Sequence, residues 1–211
     1  MPNQLPRADD AALPPAGGLT AGFYGKLPAR GDFVRIGLPR DFTDPWDAWL
    51  QDVLVGSRSL MGESWLPAFL EAPVWRFSLP AGMCGPAATL GLMLPSVDRA
   101  GRYFPLMFAA LSAQRLDAAG AGSWLDACEA AGRAALEHDK TPEEIAALVV
   151  EPDLRLDGNG MAEAEWWREG SPRVRPSRIL LRSMPDAAIC AAMLGAKTET
   201  EAGERKWQST S

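Results

Sequence analysis

Apolar side chains return every three or four residues at Trp46, Trp49, Leu50, Val53, Leu54, Leu60 and Met61, which gives one wide apolar stripe and predicts an amphipathic helix. Asp44 is the expected N-cap and Pro45 fits the first helical position. A second short helical piece around Trp65–Leu70 ends by Pro73. The period then changes to two. Trp75, Phe77 and Leu79 alternate with Val74, Arg76 and Ser78, the pattern of a half-buried strand. Ala88–Pro95 and Phe104–Leu111 are near-continuous apolar runs of strand length, joined by the polar connection PSVDRAGRY, and predict central strands covered on both faces.

Weaker patterns flank these. Gly22–Leu27 reads as an opening strand, closed by Pro28 and the turn-prone Gly31 and Asp32. From Ser123 the pattern turns helical, with Trp124, Cys128, Ala131 and Ala135 on one side and Ser123 and Asp126 in capping-box positions. Another helix starts at Thr141, with Pro142 and Glu144. Beyond a loop at Pro152–Gly160, Glu163–Trp167 and Arg178–Arg182 are short strand candidates, and MPDAAICAAMLG is a closing helix stopped by Gly195. Residues 1–20, with Pro2, Pro6, Pro14 and Pro15, lack periodicity and read as a disordered tail; residues 196–211 form a polar tail with Trp207 as its large apolar group. What lies between, residues 21–195, is expected to be a single α+β domain with a mainly antiparallel sheet of about five or more strands packed by helices.

Composition narrows the function. The 211 residues are 47% hydrophobic and 23% charged, the balance of a folded globular chain. A formal charge of −6, with no basic runs, argues against nucleic acid as a partner. Cys84, Cys128 and Cys190 are odd in number and far apart, and read as buried thiols in a reducing compartment. No apolar run approaches the roughly 20 residues of a bilayer span, and Pro2, Arg7, Asp9 and Asp10 interrupt any leader, so membrane insertion is not expected and a cytoplasmic address is.

Catalytic signatures are missing. His138 is the single histidine, lies among Glu137, Asp139 and Lys140, and reads as a helix-end cation. One histidine and three scattered cysteines give no zinc spacing; GxSxG, GxxxxGK[ST] and the dinucleotide glycine pattern do not occur, so no metal, cofactor or nucleophile is expected. What stands out is charge set inside apolar, Gly/Pro-rich segments: Lys26, Arg30, Asp32 and Arg35 in one, Asp98, Arg99 and Arg102 in the other. They fit either a polar network that ties loops together or a recognition surface. The adjacent Trp166 and Trp167 must face opposite ways on a strand, so one leaves the main core or meets a covering helix, and an exposed tryptophan is a typical contact anchor.

Four ordered blocks, GFYGKLPARGDFVRIGLP, WDAWLQ, APVWRFSLPAGMCGP and LPSVDRAGRYFPL, resemble the N-terminal hallmark of the TagF (ImpM) family. MAEAEWWREG and RSMPDAAICAAML resemble later family features, with Ile189 where an aromatic is more usual and Met184 in place of leucine. The resemblance implies a post-translational repressor of type VI secretion, linked to threonine-phosphorylation signalling and acting through the forkhead-associated scaffold protein. It brings no catalytic residues. The rival expectations are a hydrolase-like enzyme using Asp32 or Asp98 with an arginine clamp on an anionic substrate, and an adaptor or ligand-sensing module.

Overall fold

The computed structural model describes residues 18–149, 153–157, 162–169 and 175–195. Most of both expected tails falls outside that set. In chain order the elements are β1 (Leu19–Gly25), β2 (Val34–Ile36), α1 (Arg40–Met61), α2 (Trp65–Leu70), β3 (Trp75–Leu79), β4 (Ala88–Leu94), β5 (Leu106–Ser112), α3 (Gly122–Glu137), α4 (Pro142–Leu148), β6 (Ala164–Arg168), β7 (Ser177–Leu181) and α5 (Ala187–Met193). Among the described residues the strands form one antiparallel sheet in the order β2-β1-β5-β4-β3-β6-β7. The α+β expectation is met, and the helices cover both faces.

Alternation along each strand builds two cores. On one face Phe77, Leu79, Met107, Ala109 and Trp166 pack under α1 and α5 with Trp46, Leu50 and Val53; on the other Leu90, Leu92, Leu106 and Phe108 pack under α3 and α4 with Leu125, Cys128 and Ile145. The two apolar runs are thus the middle strands of the sheet, buried on both faces as their composition predicts. No helix among the described residues is long and apolar enough to cross a membrane.

Four local expectations change. Strand β3 is buried at all five positions rather than half-buried: its polar side, Arg76 and Ser78, faces α3 and the loop carrying Arg115 instead of water. Helix α1 starts at Arg40, so Pro45 lies inside it and Asp44 is not its cap. The stripe extends backward to Phe42, 1% exposed, and that burial outweighs the hydrogen bond a proline removes. No side chain caps α3; Asp126 of the expected capping box turns instead to Arg76. The opening strand begins at Leu19, and its short partner β2 falls in a stretch to which the sequence pattern assigns no element, since three residues are too few to show a period. The capping box at Thr141 and Glu144 does form.

Candidate functional site

The ends of β1, β4 and β5 that meet at one end of the sheet carry the two charged loops. The first leaves β1 at Gly25, where a Cβ would stand 2.3 Å from the Pro105 carbonyl, so only glycine lets the backbones approach this closely. It turns through a hydrogen bond from Arg30 N–H to Leu27 O, 3.0 Å. The second is a hairpin-like excursion between β4 and β5, closed by Asp98 N–H to Arg102 O at 3.0 Å and Phe104 N–H to Ser96 O at 3.1 Å. Gly101, with φ 78°, takes the left-handed position in that turn.

Asp98 joins the two. It is 3% exposed, and its Oδ1 accepts the backbone N–H of Ala100 and of Arg102, each at 2.9 Å. Its Oδ2 accepts Lys26 Nζ at 2.6 Å and Arg102 Nε at 2.7 Å. Burial alone would raise this carboxyl; the hydrogen bonds from Lys26 and Arg102 and the lysine charge outweigh it and hold the group well below the usual carboxylate range. Two hydrogen bonds to backbone carbonyls reinforce the pair: Arg99 N–H donates to Arg30 O at 3.0 Å, and Ser96 Oγ donates to Lys26 O at 2.6 Å. Arg102 also donates through Nη2 to the Gly31 carbonyl.

An aromatic group roofs the lysine. Lys26 Nζ lies 4.9 Å from the Phe33 ring centre; Phe33 stacks on Tyr24 at 5.5 Å and meets Phe104 edge-on at 4.7 Å. Burial and a 2.7 Å hydrogen bond to Asp47 raise the Tyr24 phenol above its ordinary value. Phe33 itself remains 42% exposed.

Of the seven charged residues singled out in sequence, Lys26, Asp98 and Arg102 are joined through their side chains and Arg30 and Arg99 through their backbones. Lys26 and Asp98 are buried and structural, and Arg102 spans inside and outside with its side chain 58% exposed. Arg35 donates to Leu38 O at 3.0 Å. Arg30, exposed, reaches Glu143 of α4 at 3.7 Å, while Asp32 and Arg99 point outward and pair with no acidic or basic side chain among the described residues. The sequence reading passed over Ser96 and Phe33; a serine and a phenylalanine beside so many charges carry no signal of their own.

The tryptophan pair separates as strand geometry requires. Trp166 is fully buried against Trp46 and Phe77, and Trp167 turns to the opposite face, half-buried. Of the two alternatives for the second ring, Trp167 packs against the core on the opposite face rather than standing free in solvent. Trp167 lines a surface cavity of about 320 Å³ with Glu165, Arg168 and Arg178; another, of about 140 Å³, lies between the ends of α2 and α3. Neither is lined by the charged loops. A second polar centre escaped the sequence reading: Arg76, 6% exposed, reaches Asp126 at 2.6 Å, Glu129 at 3.3 Å and Glu169 at 3.5 Å, locking α3 and the end of β6 to β3. Among the described residues no group of three or more histidine, cysteine or carboxylate side chains is placed to hold a metal ion.

Residues 22–151, which include both loops, match the family described as TagF N-terminal domain, type VI secretion system-associated. Among solved structures the chain is similar to PA0076 from Pseudomonas aeruginosa PAO1, with 31% sequence identity and a TM-score of 0.70 over 91% of this chain and 99% of that one. No curated protein matches the sequence.

Proposed function

The chain belongs to the TagF family of type VI secretion-associated proteins, and from that premise we propose that it represses assembly of the secretion apparatus post-translationally, by non-catalytic contact with the forkhead-associated scaffold protein in the cytoplasm. The observation that carries the reading is the joining of the two loops. Lys26 and Asp98, 72 residues apart along the chain, fasten the two loops through a buried pair, and hydrogen bonds to the Lys26, Arg30 and Gly31 carbonyls complete one preorganised surface. A surface held this way loses little conformational entropy when a partner docks. A hydrolase working with the same residues would draw on Asp32 or Asp98 as its acid or base; Asp98 already accepts four hydrogen bonds from its own chain, and Asp32 is exposed and pairs with no basic side chain among the described residues.

The test has two parts. Purified full chain is expected to bind the purified scaffold protein, and its overproduction in the native host is expected to lower release of secreted substrates without lowering levels of the apparatus proteins. Absence of both binding and repression would refute the proposal.

A further inference from the structure

We propose that the joined loops are a docking surface for an acidic segment of a protein partner, with Phe33 as the apolar anchor and Arg30 and Arg99 as the carboxylate-binding groups. The inference deepens the reading of the chain as a contact regulator and rests on it.

Charge points to the partner. Residues 26–35 and 96–104 hold Lys26, Arg30, Arg35, Arg99 and Arg102 against Asp32 and Asp98, a basic excess within a chain whose formal charge is −6. Lys26 is spent on Asp98 inside, so the outward groups are the arginines. The Arg30 side chain is 51% exposed and Arg102 58%, and Arg99 faces solvent without an acidic partner among the described residues. Glu143 beside Arg30 and Asp32 in the first loop reduce the positive field without reversing it. A guanidinium fork matches a carboxylate with two parallel hydrogen bonds.

Shape agrees with charge. Phe33 is held between Tyr24 and Phe104, with Lys26 against its ring, and still leaves 42% of its surface to solvent. An immobilised aromatic on the same two loops as exposed arginines matches the aromatic and arginine enrichment of protein interface centres. Because Asp98 fixes the loops beforehand, the arginines need only orient their side chains.

The measurement is fluorescence anisotropy of the full chain with a labelled peptide rich in Glu and Asp around a central leucine, against the same peptide with Gln and Asn. The acidic peptide should bind more tightly by about tenfold or more, with affinity falling as salt rises. Phe33→Ala and the double variant Arg30→Ala/Arg99→Ala should each weaken it by about fivefold or more. Arg182→Ala, on the opposite sheet edge with its side chain 91% exposed, should not. Circular dichroism confirms that each variant is folded. Equal binding of the two peptides, equal binding by the variants, or preference for phosphatidylserine vesicles over the acidic peptide would overturn the proposal. If the wild-type chain and the variants bind the scaffold protein equally, the surface is wrong and the contact reading stands. If the acidic peptide binds as expected but the scaffold protein does not bind at all, the surface stands and the scaffold reading falls.

Discussion

Lys26 Nζ lies 2.6 Å from Asp98 Oδ2, with 6% of the lysine side chain and none of the aspartate side chain exposed. The ion pair that fastens the two charged loops is therefore out of solvent. Removing the lysine takes the buried cation from a carboxylate that keeps only Arg102 and two backbone N–H groups, whereas a mostly exposed partner can be replaced by water. Lys26→Met is expected to lower Tm on the order of 10 °C. Arg102→Met should lower it by a clearly smaller amount, since that side chain is 58% exposed. Thermal unfolding of the two variants side by side checks the order, and a reversed order would show that the outer arginine carries the junction.

The same carboxylate sets an acid limit. In the folded chain Asp98 sits well below the usual carboxylate range, because the bonds from Lys26 and Arg102 outweigh the effect of burial. A depressed folded value means that the carboxylate stabilises the fold fully above its unfolded pKa of about 3.9 and loses that contribution as pH falls below it toward the folded value. Wild-type Tm should thus exceed that of Asp98→Asn at pH 7, and the gap should narrow below about pH 4. A gap constant with pH would mean that the aspartate contributes through shape and not through charge.

How much of this was legible beforehand depends on the scale of the signal. The long stripe of α1 and the apolar runs of β4 and β5 carried enough periodic positions to be read, and they define the middle of the sheet. Strand β2 did not, with three residues, and the start of α1 was misplaced because Pro45 imitates a helix start while Phe42, buried under the sheet, continues the stripe. At the site, clustered charge in apolar segments marked the residues, but which of them turn inward could not be read: Asp98 and Asp32 look alike in sequence, and only tertiary pairing buries the first. Arg76 was hidden for the opposite reason, as a lone charge at a position that alternation assigns to solvent.

Arg76 makes the reverse case of Lys26. Its carboxylate partners Asp126 and Glu169 are 68% and 65% exposed, so they can return to water when the arginine is lost. Asp126→Asn should cost less than about 1 kcal/mol, and Arg76→Met about 2 kcal/mol, mainly through lost charge-assisted hydrogen bonds. Arg76→Glu would place a buried negative charge beside three others and should yield no folded protein. Denaturant titration of the first two variants and soluble expression of the third are the checks; a folded Arg76→Glu would refute this account of the centre.

The three thiols should be silent in the native state. Cys84, Cys128 and Cys190 are free and buried, and burial pushes each thiol up to about 12, helped at Cys190 by the charge of Asp186. Since the thiolate is the reactive form, a disulfide reagent at pH 8 should label none of them over the time in which it labels all three in guanidinium. Rapid labelling of one thiol in the folded chain would reveal local opening around it.

Helices α1 and α5 touch at Gly56 and Ala187, where a Cβ on Gly56 would stand 2.5 Å from the Ala187 Cβ. Two effects oppose each other in Gly56→Ala. Replacing a mid-helix glycine favours the helix by about 1 kcal/mol, while the added methyl forces the two helices apart, at about 1–3 kcal/mol for overpacking. The contact is between Cβ atoms that cannot rotate away, so the clash should win and the variant should be destabilised by about 1 kcal/mol. If that cause is right, Gly56→Ala/Ala187→Gly restores the missing space and recovers much of the loss, less the helix cost now moved to α5. Denaturant unfolding of the two single variants and the double variant decides the matter: additive losses in the double variant would show that the helices do not meet at this pair.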